Sequence, residues 1–180
     1  MRKNILNLSY PFLVGILLGW LQTGLFFQLT FTFSSGFTTY LLITLCWLAG
    51  SALGVYYLYR LPIPLNIFLL VMIGVYLLIS WLVKGFPYQS QMRIIYGVLI
   101  FCTGFYPGVF FARLSRVYTT RQMFFWENNG FILGLIFCTI LFMVYGGIML
   151  WLIPCLIASI LYIWYCDDVV AGKVVDNVAK

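Results

Sequence analysis

Residues 65–83 read LNIFLLVMIGVYLLISWLV, without a single charged side chain. A helix of this length extends about 28 Å at 1.5 Å per residue, close to the roughly 30 Å of hydrocarbon in a bilayer. In lipid each backbone N–H must find its acceptor within the segment, so helix is the conformation expected. Working outward, comparable apolar runs occupy 11–33, 37–59, 94–112, 128–145 and 148–165, and no porin-like alternation interrupts them. The expectation is an all-α, polytopic transmembrane bundle of six helices. With spans of about 20 residues and short connections, 1–180 forms a single membrane domain and 166–180 a cytoplasmic tail.

The composition agrees with that reading. Of 180 residues, 64% are apolar and 8% charged, against roughly a quarter charged in soluble domains. Six spans put Arg2, Lys3, Arg60, Arg113, Arg116, Arg121, Lys173 and Lys180 on one side and only Lys84 and Arg93 on the other. Basic loops stay cytoplasmic, so both termini are expected in the cytoplasm, with the protein in a bacterial inner (plasma) membrane. Arg2 and Lys3 before an apolar run imitate a signal peptide, but the first alanine is Ala49, so an uncleaved first helix is expected. The net charge of +6 is then a topology signal. No dense basic run with interleaved aromatics points to nucleic acid. Tyr10, Tyr56, Tyr57, Tyr59, Trp81, Tyr88, Trp126, Trp151, Trp164 and Tyr165 suit the headgroup level, whereas Trp20 and Trp47 lie mid-span as packing residues.

Reactive chemistry is sparse. There is no histidine, and Cys46, Cys102, Cys138, Cys155 and Cys166 form no CxxC pair, so buried thiols are expected and no metal site or cofactor. No nucleophile–base pair, metal cluster or carboxylate pair marks an enzyme, and no catalytic residue is assigned. The first four spans hold no ionisable residue deep within them, unlike most pumps. Gln22 and Gln28 interrupt the first span, as hydrogen-bonding groups across a helix interface or as the lining of a polar cavity.

Small residues mark where helices can approach. Ala49, Gly50, Ser51, Ala52 and Gly54 form one patch, and GxxxG spacing occurs at Gly50 and Gly54, at Gly104 and Gly108, and at Gly130 and Gly134. Gly146 and Gly147 alone separate the last two spans, which demands a tight helical hairpin. In the fourth span Pro107 cannot donate to the carbonyl of Thr103, and a kink is expected there. The following segment, 112–121, projects as an amphipathic interfacial helix whose arginines hold it to the headgroups. Glu127 opens the fifth span, where a helix N-terminus favours negative charge and Arg113, Arg116 or Arg121 can clamp it. The rival reading gives Glu127 a cavity open to the cytoplasm and a cationic ligand.

The residues Gly104-Phe105-Tyr106-Pro107-Gly108, Arg116-Val117-Tyr118 and Glu127-Asn128-Asn129-Gly130, running on to Gly134, resemble the membrane domain of integral membrane spermidine/spermine synthase-like proteins. The stretches 33–40 and 48–54 resemble that family's first loop and its small-residue second helix, so the resemblance covers most of the chain. Two departures stand out: Gln28 replaces an acidic residue of the first helix, and Glu127 stands where Asp is common. The family's soluble aminopropyltransferase domain has no counterpart in these 180 residues, so the resemblance implies no synthase activity. The expected role is a noncatalytic membrane subunit that anchors or helps assemble a larger complex, with the lipid bilayer and other membrane subunits as partners. The alternative is a small transporter or permeation module for a cation or polyamine.

Overall fold

The computed structural model describes residues 2–33, 36–86, 88–115 and 118–170. Among them there is no strand. The elements are α1 (Arg2–Phe33), α2 (Gly36–Tyr56), α3 (Leu65–Gly85), α4 (Arg93–Thr103), α5 (Phe105–Leu114), α6 (Thr120–Tyr145) and α7 (Met149–Val170), with 3-10 turns at Leu58–Arg60, Ser90–Met92 and Gly146–Ile148. Five stretches are long and apolar enough to cross a membrane: Ser9–Phe33, Gly36–Arg60, Leu65–Gly85, Arg93–Leu114 and Thr120–Trp164.

The last of these stretches contains α6 and most of α7, and it does not run straight. Gly146 takes φ 72° and ends α6, a left-handed conformation that glycine adopts without penalty. The side contacts follow the reversal. Along α1, Trp126 meets Phe12 and Phe142 stacks on Phe27 at 4.7 Å, so α6 runs parallel to α1. Leu150 then packs with Trp20, and Trp164 stands edge-on to Tyr10 at 6.5 Å, so α7 runs back along α1.

The same reasoning orders the remaining helices. Gly97 faces Leu42 and Cys46 while Gly108 faces Gly54, which makes α4 and α5 parallel to α2. Arg113, near the end of α5, lies over Phe68 near the start of α3. One end of the bundle, here the proximal end, therefore gathers Tyr10, Arg60, Arg113, Glu127 and Trp164. The distal end gathers Phe33, Lys84, Arg93 and Gly146. Inside the bundle, Trp20, Tyr76, Tyr96, Tyr106 and Phe110 are almost fully enclosed. Trp47 is buried mid-span as well, whereas Tyr10, expected at the headgroups, is only 7% exposed because Phe110 and Trp164 cover its ring.

Two local expectations are corrected. α6 begins at Thr120, eight residues ahead of the expected start at Asn128, because Thr119 caps it by accepting from the backbone N–H of Gln122 at 3.4 Å. Glu127 therefore lies two turns inside the helix, beyond the reach of its N-terminal dipole. No single helix spans 112–121: α5 ends at Leu114, and Thr119 is extended at ψ 140°. In the fourth span the regular helix is interrupted at Gly104, three residues ahead of Pro107, within the turn where the kink is expected. The Gly104 N–H is shared between the Ile100 and Phe101 carbonyls at 3.2 Å each. Pro107 withholds the donor that would hold Thr103 in register, so the tightened turn falls where the bond is missing. α1 also starts earlier than the apolar run, at Arg2, and carries Pro11 within it.

Candidate functional site

The helix pairs that frame the molecule meet through glycine on both sides. In the α2·α5 pair, a Cβ built on Gly54 would stand 2.7 Å from the Phe105 carbonyl oxygen and 3.0 Å from the Gly108 Cα. Gly50 faces the Phe101 carbonyl, Gly104 that of Trp47 and Gly108 that of Ser51, each too close to admit a side-chain carbon. The α1·α6 pair repeats the arrangement: Gly130 and Gly134 face the carbonyls of Phe12 and Ile16, while Gly15 and Gly19 face those of Glu127 and Phe131. In all eight cases the facing carbonyl lies three residues before the partner glycine. This is the geometry in which Cα–H groups point at acceptors across the interface, each contact contributing about 0.5–1 kcal/mol. Ser51 adds a conventional bond, its hydroxyl donating to the Gly104 carbonyl at 3.1 Å. Gly15 and Gly19 were missed in the sequence, although their GxxxG spacing was there to be read.

A polar crossing joins α1, α3 and α7 nearer the distal end. Tyr76 is fully buried and donates its hydroxyl proton to the Leu150 carbonyl at 2.8 Å, so towards Gln28 it can only accept. The Gln28 amide nitrogen donates to it at 3.1 Å. That fixes the orientation of the amide and leaves its oxygen, Oε1, buried without a partner. Gly24 makes the room, since a Cβ there would meet the tyrosine hydroxyl at 2.5 Å. Gln22, half-buried on the same helix, takes no part.

At the proximal end the charged residues are placed apart from one another. Arg113 donates to three backbone carbonyls of the connection between α2 and α3: Ile63 at 2.6 Å, Leu61 at 2.8 Å and Tyr59 at 3.3 Å. Arg121 is exposed, and Arg116 lies outside the described residues. Glu127 is 6% exposed and has no hydrogen bond or ion pair among the described residues. It stands on the stripe of α6 formed by Met123, Glu127, Gly130, Gly134 and Cys138, the face turned to α1. The neighbouring Asn128 and Asn129 point outward, Asn129 donating to the Phe125 carbonyl at 2.6 Å. An ionisable group enclosed in this way is the chemically most unusual side chain of the bundle.

Among the described residues no three His, Cys, Asp or Glu side chains stand together as metal ligands. Cys46, Cys102, Cys138 and Cys155 are free thiols. Comparison with known proteins adds no relative: no family model matches the chain, and neither a curated protein nor a solved structure is significantly similar to it.

Proposed function

We propose that the chain crosses a bacterial plasma membrane six times with both termini in the cytoplasm, and serves as a noncatalytic subunit that anchors or helps assemble a larger membrane complex. The observation that carries this reading is the division of small residues on α2. Gly50, Ser51 and Gly54 are taken up by the fourth span, from Phe101 at the end of α4 to Gly108 in α5, whereas Ala49 and Ala52 face outward with Leu45 and Leu48. Small outward residues let the backbone of another membrane helix approach closely, and lipid tails gain nothing comparable from them. The resemblance to the spermidine/spermine synthase-like membrane domain supports a membrane role of this kind, without its enzyme.

Purification in a mild detergent followed by mass spectrometry of copurifying chains tests the proposal. A partner chain is expected with the wild type and is lost in Ala52→Trp, while the thermal stability of the variant stays unchanged. A wild-type protein that purifies alone contradicts the subunit reading.

The buried Glu127 favours a second reading, a permeation module for a cation or polyamine. Under it, reconstituted vesicles take up spermidine and Glu127→Gln abolishes the uptake. Equal uptake by wild type, variant and protein-free vesicles contradicts it.

A further inference from the structure

Between α3 and α7 the distal end carries two adjoining hollows that share Lys84 and Trp151. The inner one, about 250 Å³, is lined by Gln28, Thr32, Ser80, Lys84, Tyr88 and Trp151 among others. The outer one, about 610 Å³, is a mostly apolar groove running down the bundle past Leu77, Leu152, Leu156 and Ser159. From this continuity we propose that the α3–α7 groove binds one phospholipid with an anionic, hydroxyl-bearing headgroup of the phosphatidylglycerol type.

Each part of the lipid meets a matching part of the protein. Lys84 is the penultimate residue of α3, at the level where the helix leaves the apolar layer, and its ammonium rests on the Trp151 ring at 3.5 Å. The ring holds the cation over the mouth of both hollows and leaves its N–H donors for a phosphate. Deeper in the inner hollow, the hydroxyl of Thr32 donates to the Gln28 carbonyl and that of Ser80 to the Tyr76 carbonyl, at 2.9 and 3.0 Å. These hydroxyls offer acceptor capacity, and behind the same lining Gln28 Oε1 is a buried acceptor without a donor among the described residues. A headgroup hydroxyl can donate to the Thr32 and Ser80 oxygens that line the hollow, whereas a choline headgroup has no O–H to give. The outer groove accepts an acyl chain, and its one hydroxyl, Ser159, already donates to the Cys155 carbonyl at 2.8 Å. A free phosphate ion leaves that groove empty, so the lipid is the occupant that fits both.

Native mass spectrometry of the detergent-purified protein, titrated with dioleoylphosphatidylglycerol, dioleoylphosphatidylcholine or sodium phosphate, tests the assignment. One phosphatidylglycerol per chain is expected to be retained at least about fivefold more tightly than phosphatidylcholine, with no competition from phosphate. Lys84→Gln removes the basic residue, and its binding of phosphatidylglycerol falls by about fivefold. Leu156→Trp, at an exposed position in the groove, blocks the chain slot and lowers binding comparably with Lys84 intact. Equal retention of the two lipids, no retained lipid, or unchanged phosphatidylglycerol binding in both variants overturns the proposal. Displacement of the lipid by phosphate reassigns the site to a free anion and overturns it as well.

Discussion

Glu127 and Arg113 show how little the identity of a charged residue says about its partner. Arginines on one side of a membrane protein and an acid at the same level invite pairing, yet Arg113 is held by the carbonyls of Tyr59, Leu61 and Ile63. A guanidinium has five N–H donors in a fixed fork, and a connection that turns sharply between two helices presents the carbonyls to match them. Arg113→Ala is accordingly expected to cost about 2–3 kcal/mol, the worth of one or two charged hydrogen bonds, in thermal or denaturant unfolding in detergent. A loss within error of zero argues against its role in tying α5 to the α2–α3 connection. Glu127→Gln has the opposite expectation: removing an enclosed charge with no described partner leaves the fold as stable as the wild type or slightly more so. A marked loss of stability in the same assay revives the clamp that the sequence suggested. The burial of Glu127 was not legible in advance, because Trp126-Glu127-Asn128-Asn129 reads as a polar boundary. The helix ignores that boundary, since backbone hydrogen bonding and the Thr119 cap set where α6 begins.

Among the elements, the paired glycine seams hold the bundle's geometry. All four GxxxG pairs stand in the sequence, three of them singled out there, but spacing alone cannot say which seam meets which. The pairing of Gly15 and Gly19 with Gly130 and Gly134 joins residues more than a hundred positions apart. Gly130→Ala puts a methyl group into the Phe12 carbonyl and is expected to destabilise by about 1–3 kcal/mol, the range for overpacking a close interface. Gly74, midway along α3 with open space around it, is the control. There Gly→Ala is expected to be neutral or to stabilise by about 0.5–1 kcal/mol, through helix propensity. If both variants behave alike in thermal unfolding, close backbone contact is not what the glycines provide. Tyr76→Phe removes the hydroxyl that joins α1, α3 and α7 and leaves Gln28 and the Leu150 carbonyl without it. A loss of about 1–2 kcal/mol is expected, and an unchanged transition contradicts a structural role for that crossing. That pairing, too, was hidden: Gln28 stood out as a polar interruption of the first span, while Tyr76 looked like any aromatic residue in a run of apolar ones.

Across the whole molecule, hydropathy made the helices legible, and the reading of six spans rests on one place, Gly146 and Gly147, within the apolar stretch that runs from 120 to 164. Contacts along α1 show the chain turning back there, with α6 and α7 on opposite courses beside the same helix. The proposed six crossings depend on that turn, and so does the sidedness of everything beyond it. Reporter fusions that distinguish cytoplasm from periplasm, placed after Gly147 and after Lys180, test it most directly. Six crossings predict a periplasmic signal at Gly147 and a cytoplasmic signal at Lys180; the same compartment for both means that the chain does not recross the membrane after Gly146, and the proposed topology fails.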